Sequence, residues 1–276
     1  MNNNPALAAE CIKESDALLI TAGAGIGVDS GLPDFRGNEG FWKAYPPVAQ
    51  RGISFYEMAN PEWFHNDPGL AWAFYGHRLN LYRKTLPHTG FYQILEQAKQ
   101  KKSGYFVFTS NVDGQFQKAG YSEQQIEECH GSIHHLQCSR PCSDMIWSGS
   151  EMEIIVDLDK FVAWEPLPLC PDCGSLARPN ILMFGDWGWI SHRTNSQNKR
   201  LHQWLDSLKI NHSQLVIIEI GAGNAVPTVR HLSENVSAQL SARLIRINPR
   251  DFEVPGGHIS IPENAADGIK QICANF

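Results

Sequence analysis

Four short apolar runs frame this chain: Ala17–Thr21, Tyr105–Thr109, Gln214–Ile220 and Arg243–Ile247, each rich in Val, Ile, Leu or Phe and each ending abruptly in small or polar residues. Runs of this length with no regular polar position fit strands buried on both faces, as in a parallel sheet. Helical patterns lie between them, at Ala6–Glu14, Thr89–Lys101 and Thr228–Gln239. Strand and helix in alternation predict an α/β fold built on a Rossmann-like, doubly wound parallel sheet. Such sheets bind ligands beyond the carboxyl ends of their strands, so the chemistry is expected just after each run.

Two segments break the alternation. Residues 38–85 are aromatic-rich, with a helical stretch from Pro68, and residues 134–180 carry two close pairs of cysteines. They are expected to form a smaller inserted domain, one part a helical module and the other a zinc-binding module. Residues 1–37, 86–133 and 181–276 are left for the large Rossmann-like domain. No Gly/Ser linker separates the parts, so the insertions are expected to pack together. A chain of 276 residues, 42% apolar, can build both a large and a small core.

The formal charge of −6 supplies no cationic field, which disfavours a sequence-independent nucleic-acid binder. The first residues lack a basic segment followed by an apolar one, and no stretch approaches the ~20 apolar residues that span a bilayer. The expectation is a soluble cytoplasmic protein without membrane contact, monomeric or weakly oligomeric. Seven cysteines, an odd number and unevenly spaced, argue against a disulfide framework. Cys138-x-x-x-Cys142 and Cys170-x-x-Cys173, the latter followed by Gly174, offer four thiolates for tetrahedral zinc. With no fifth clustered ligand, that site is expected to be closed and structural; four unligated core cysteines are the alternative.

Each strand end carries residues suited to chemistry. After the first comes Gly23-Ala24-Gly25-Ile26-Gly27, which would let backbone amides approach a pyrophosphate, or would simply make a tight turn. Asp34-Phe35-Arg36 sit on a Pro-started loop beyond it, placed for a lid or for a plain turn. After the second strand, Ser110-Asn111-Val112-Asp113 offers donors and acceptors for a carboxamide, or a helix cap. His130 lies between Cys129 and Gly131 with His134 and His135 close behind, so histidine density does not choose among the three. Phe184-Gly185-Asp186 closes an extended stretch that could pair with a substrate strand, or could end a buried strand. Gly221-Ala222-Gly223 and Asn248 follow the third and fourth strands.

The run Gly23–Gly37 resembles the signature of the sirtuin family, and the resemblance continues in order through Ser110–Gly114, Cys129-His130-Gly131, the cysteine pairs, Arg178-Pro179-Asn180, Phe184–Asp186, Gly221–Gly223 and Ile247-Asn248. It implies an NAD-dependent protein-lysine deacylase that consumes NAD as co-substrate, acts on acyl-lysine proteins or peptides, and releases nicotinamide and O-acyl-ADP-ribose. His130 would be the general base on a ribose hydroxyl. Phe35 would guard the ribose face and Arg36 would help hold the cofactor. Asn111 and Asp113 would recognise nicotinamide, with the remaining glycine-turn residues lining the NAD site. One structural Zn2+ would take no chemical part.

Phe74-Tyr75-Gly76-His77-Arg78 also resembles the Tyr-x-x-Arg element of the branch that removes succinyl, malonyl and glutaryl groups. A guanidinium fork with a phenol hydroxyl suits a terminal carboxylate, so Tyr75 and Arg78 are expected to favour succinyl- or malonyl-lysine over acetyl-lysine. Three positions depart from the family pattern: Gly27 where serine is common, Ser110 where glutamine is common, and Ala222-Gly223 where a Thr-Ser pair is common. Each removes a side-chain hydrogen bond to NAD. Competing readings are a sirtuin-like ADP-ribosyltransferase or NAD glycohydrolase, a non-catalytic module that binds NAD or ADP-ribose, and a zinc-ribbon nucleic-acid protein.

Overall fold

A computed structural model describes residues 4–33 and 37–276. Its strands are β1 (Ala17–Ala22), β2 (Tyr105–Thr109), β3 (Ile126–Glu128), β4 (Gly131–Cys138), β5 (Ile146–Ser148), β6 (Val156–Asp157), β7 (Val162–Ala163), β8 (Ala177–Ile181), β9 (Leu215–Ile220), β10 (Arg243–Ile247) and β11 (Ile259–Ile261). Six of them make one sheet in the order β11-β10-β9-β1-β2-β3, with every neighbouring pair parallel. The fold class read from the sequence is the one observed.

The sheet is buried on both faces, and its side chains alternate between two cores. Leu18, Ile20 and Ala22 of β1 turn towards Ala8 and Ile12 of the Asn4–Glu14 helix, Ile94 of the Thr89–Lys99 helix and Ile269 of the Ala265–Cys273 helix. Ala17 and Leu19 turn the other way, towards Leu201 and Leu208 of the His192–Ile210 helix and Val229 of the Thr228–Leu240 helix. Burial on both sides thus accounts for five apolar residues in six on β1, and the one polar residue, Thr21, shares a 2.8 Å hydrogen bond with the Ser233 hydroxyl.

A third core joins the two insertions. Phe41, Phe64, Phe74 and Tyr75 from the first pack with Ile154 and Phe161 from the second, and with Ile133, Leu136 and Ile181 of β4 and β8. The Pro68–Lys84 helix opens with Pro68 behind an Asp67 cap whose carboxylate accepts from Leu70 N. Gly76 lets this helix approach closely: a Cβ there would lie 2.2 Å from Ile154 Cγ2. The Trp72 indole N–H donates to the Ala177 carbonyl at 3.1 Å, tying the helix to β8. Strands β5, β4 and β8 form a small antiparallel sheet next to the cysteines.

The chain order places the binding crevice. From β1 the sheet grows to one side through β2 and β3, and to the other through β9, β10 and β11. The direction reverses between β1 and β9, the point at which open α/β sheets take ligands. Among the described residues no helix is long and apolar enough to cross a membrane.

Candidate functional site

The turns after β1 and β9 meet at that reversal. Gly23 N donates to the Ile220 carbonyl at 3.0 Å and Gly25 N to the Gly221 carbonyl at 3.0 Å. Gly221 has φ of +64°, and a Cβ on it would fall 2.4 Å from Ile26 N. A Cβ on Gly23 would fall 2.8 Å from Ala222 Cα. These two glycines are thus demanded by backbone packing between the turns, before any ligand enters. Ala24 remains exposed and Gly223 half-buried at the edge of the crevice, while Ile26 and Ala222 are buried beneath it.

The β2 end is tied into the same crevice. The Thr109 hydroxyl donates to the Ala22 carbonyl at 3.0 Å and accepts from Asn111 N at 3.0 Å. Asn111 Nδ2 donates to the Gly23 carbonyl at 3.1 Å, and Ser110 N to the Ala22 carbonyl at 3.1 Å. On the far side, Asn248 is wholly buried: its Nδ2 donates to the Ala222 carbonyl at 2.8 Å, and its Oδ1 accepts from Arg250 N and Asp251 N. Asn248 therefore shapes the two loops that border the crevice. Asp34, Phe35 and Arg36 lie outside the described residues.

His130 stands where β3 passes into β4. Burial lowers its pKa from the ordinary imidazole value, opposed by a hydrogen bond to the Ser110 backbone, so the ring is neutral at neutral pH. Its carbonyl accepts from Leu182 N at 3.0 Å, and Cys129 N donates to the Thr109 carbonyl at 2.9 Å. One histidine is thus joined to the end of β2 and to the chain leaving β8. His134 is differently placed: its Nε2 lies 2.9 Å from the Asp113 carbonyl oxygen. The Asp113 carboxyl accepts from Gln115 N at 2.9 Å, yet burial raises its pKa to about 6, with the nearby charge of Glu128 adding to the shift.

Arg78 and Tyr75 are both buried on the Pro68–Lys84 helix. The Arg78 Nε and Nη2 donate to the hydroxyl of Tyr82 at 3.0 and 2.8 Å. The guanidinium lies over the rings of Phe74, Tyr82 and Tyr75 at 5.1, 5.5 and 5.9 Å. Tyr75 itself stacks on Phe64 at 5.6 Å. The phenol oxygen bonded to the guanidinium is therefore that of Tyr82, one helical turn further on, a residue the sequence pattern did not single out.

Beyond β8, Phe184 N donates to the Ala59 carbonyl at 2.9 Å, and its ring sits 4.4 Å from that of Tyr56. Gly185 has φ of +67°. Asp186 faces inward: Arg178 Nη1 and Nη2 donate to its two oxygens at 2.7 and 2.9 Å, and the side chain has no exposure. Asp186 holds the loop in shape instead of presenting its carboxylate outward. Arg178 was visible only as part of an Arg-Pro-Asn motif, and nothing in the sequence pairs it with Asp186.

The four cysteines converge. Cys138 Sγ lies 3.7 Å from Cys173 Sγ, Cys142 Sγ lies 3.6 Å from Cys170 Sγ, and all four sulfurs fall within 4.8 Å of one another. Tetrahedral zinc with bonds of about 2.3 Å needs sulfur–sulfur edges of about 3.8 Å. The set fits zinc, and with four thiolates it is a closed, structural type of site.

The model of the Sir2 family matches residues 23–216. The NAD-dependent protein deacylase 2 of Pyrobaculum aerophilum is 31% identical over 241 residues, 87% of this chain and 82% of that one. The NAD-dependent protein deacylase of Thermococcus sibiricus is 34% identical over 180 residues, and the match spans 63% of this chain and 62% of that relative. A solved Sir2 homolog–NAD complex superposes with a TM-score of 0.72 at 26% identity, covering 97% of this chain and 92% of that one.

Proposed function

Because the chain belongs to the Sir2 family, we propose that it is an NAD-dependent protein deacylase that removes succinyl or malonyl groups from lysine in preference to acetyl. The observation that carries the deacylase reading is the position of His130. It adjoins the backbone at Ser110, beside the crevice, while its carbonyl takes Leu182 N from the chain that leads to Phe184. A neutral imidazole between a dinucleotide crevice and a substrate strand can take a proton from a ribose hydroxyl at neutral pH.

In this reading the large domain comprises residues 1–37, 86–133 and 181–276, and residues 38–85 and 134–180 form the small one. NAD supplies, when bound, an anomeric carbon whose nicotinamide can be displaced by the acyl oxygen of lysine. The chain's residues do the rest. The turns at Gly23–Ile26 and Gly221–Gly223 offer backbone at the sheet's reversal point, and Asn248 fixes the loops around them. Asn111 and Asp113 stand at the β2 end to recognise a carboxamide, and Asp34, Phe35 and Arg36 are assigned to covering the ribose and excluding water. Phe184 and Gly185 offer backbone and ring to the acyl-lysine segment, and Arg178 with Asp186 keeps them in place. Cys138, Cys142, Cys170 and Cys173 would hold zinc that ties β4 to β8 and does no chemistry.

The acyl preference is supported by a buried cation on the helix of the small module. Arg78 sits in an aromatic box, close enough to Asp113 for the two charges to influence each other. A cation in such surroundings is worth more to an incoming carboxylate than one in water. The test is mass spectrometry of NAD incubated with succinyl-, malonyl- and acetyl-lysine peptides, for wild type and His130→Ala. O-Acyl-ADP-ribose formed by wild type and not by His130→Ala supports the proposal. Free ADP-ribose as the sole product, or no consumption of NAD, refutes it.

A further inference from the structure

Trp187 stands three residues beyond Phe184 and is fully exposed, at 100%. An indole left wholly in water is unusual, because Trp is buried to a large extent on average. The turn that carries it is not slack. On one side Asp186 is gripped by Arg178, and its Oδ1 accepts from Gly188 N at 3.1 Å. On the other, Gln137 Nε2 donates to the Gly188 carbonyl at 2.8 Å, and Gln137 Oε1 accepts from Ile190 N at 3.0 Å and from Asn180 Nδ2 at 2.9 Å. Gln137 is completely buried and adjoins Cys138, so the turn is fastened to β4 and β8, the strands beside the cysteine cluster. Five residues before Trp187, Leu182 N bonds the His130 carbonyl. A rigid turn that displays an unpacked indole, a short way along the chain from His130, is arranged for a contact from outside.

Resting on the deacylase reading above, we propose that Trp187 is a specificity-determining contact for the substrate polypeptide, taking a Lys or Arg side chain that flanks the acyl-lysine, and that Gln137 is its positioning residue. The indole face is the strongest aromatic partner for a cation. The formal charge of −6 favours approach by a basic segment over an acidic one. A substrate strand laid beside Phe184 and Gly185 brings its flanking residues towards the next exposed side chain of the loop, which is Trp187.

The test uses one peptide carrying the acyl-lysine that wild type turns over fastest, made with Arg, Ala or Phe at the flanking positions. Wild type is expected to prefer the Arg peptide over the Ala peptide by about fivefold in kcat/KM, the size of an exposed cation–π contact. Trp187→Ala should erase that preference, with the loss lying in the KM for peptide, and Trp187→Phe should keep part of it. Gln137→Leu should weaken the preference in the same direction with zinc content unchanged. Trp187 touches solvent on every side, so its truncation tests the contact without threatening the fold. Equal rates on Arg and Ala peptides, a preference for Phe, or discrimination that survives in Trp187→Ala overturns the proposal while leaving the deacylase reading intact. Failure of wild type to consume NAD with any acyl peptide overturns both.

Discussion

A methyl group placed on Gly131 would lie 2.1 Å from the carbonyl oxygen of Asn180. Gly131 opens β4, Asn180 lies across from it near the end of β8, and the approach is possible only because Gly131 has no side chain and takes φ of +80°. His130 is the preceding residue, so its position is set by this contact.

Gly131→Ala is therefore expected to cost more than about 2 kcal/mol, from the left-handed backbone and from the displaced Asn180 carbonyl together. Because the strain falls on the residue next to His130, NAD consumption should drop by a larger factor than the stability loss explains. Urea unfolding alongside turnover checks this. A variant with unchanged unfolding midpoint would show that the β4–β8 contact yields freely.

Arg78→Met should lower desuccinylation far more than deacetylation. Removing the guanidinium also takes a positive charge from the neighbourhood of Asp113, where it now holds that carboxyl down against the effect of burial. Tyr82→Phe deletes the hydroxyl that accepts two Arg78 donors and should have the same selective effect in weaker form. Steady-state rates on succinyl and acetyl peptides decide the matter. An equal loss on both substrates would remove Arg78 from acyl selection.

Two buried carboxyls set a pH dependence of stability. Burial pushes Asp113 up to about 6, and pushes Glu127 up to about 7 against the hydrogen bonds from Asn198. Both groups hold protons more tightly folded than unfolded, so the stability they contribute is full below about pH 4 and is lost as pH rises through about 6 and 7. The two shifts bound the effect at roughly 3 kcal/mol each. Urea midpoints between pH 5 and 8 should fall in wild type, and fall less in Glu127→Gln. A slope unchanged by that substitution would contradict the assignment.

Cys170→Ser should leave the protein with well under one zinc per chain and should loosen β4 against β8, since Cys138 ends one strand and Cys170 lies shortly before the other. Metal analysis and limited proteolysis between residues 134 and 180 measure both effects. Full zinc content in the variant would exclude a four-thiolate site.

The four longer strands of the parallel sheet were legible because burial on both faces makes such strands predominantly apolar, with Glu219 of β9 and Arg246 of β10 admitted as a buried ion pair. β3 and β11 were not, being three residues each, and β3 reads Ile126-Glu127-Glu128. Its acids are accommodated by Asn198 and by Arg193, which reaches Glu128 from the His192–Ile210 helix, and no local pattern announces partners 65 and 71 residues away. The cysteine cluster was legible from spacing alone. The choice of His130 over His134 and His135 came from the family resemblance, and the structure separates the first two by their partners at Ser110 and Asp113. Tyr82 was hidden because an apolar helix facing a core presents many aromatics, and only geometry shows which one meets Arg78.

The departures at positions 27 and 223 have different physical standing. A Cβ on Gly27 would press on Leu32 at 3.2 and 3.3 Å, so Gly27→Ser regains a polar contact only as far as the Leu32 side chain can shift. A Cβ on Gly223 would have just Asp251 Oδ2 near it, at 3.8 Å, so serine enters there without displacement. A hydrogen bond to a charged phosphate is worth about 1.5–3 kcal/mol, or roughly tenfold or more in affinity. Gly223→Ser is accordingly expected to lower the KM for NAD about tenfold, Gly27→Ser by less, and Gly223→Ala not at all. The Ala control separates a new hydrogen bond from a mere stiffening of the turn. If Gly223→Ala matched Gly223→Ser, backbone entropy and not the lost hydroxyl would explain the cofactor affinity of this chain.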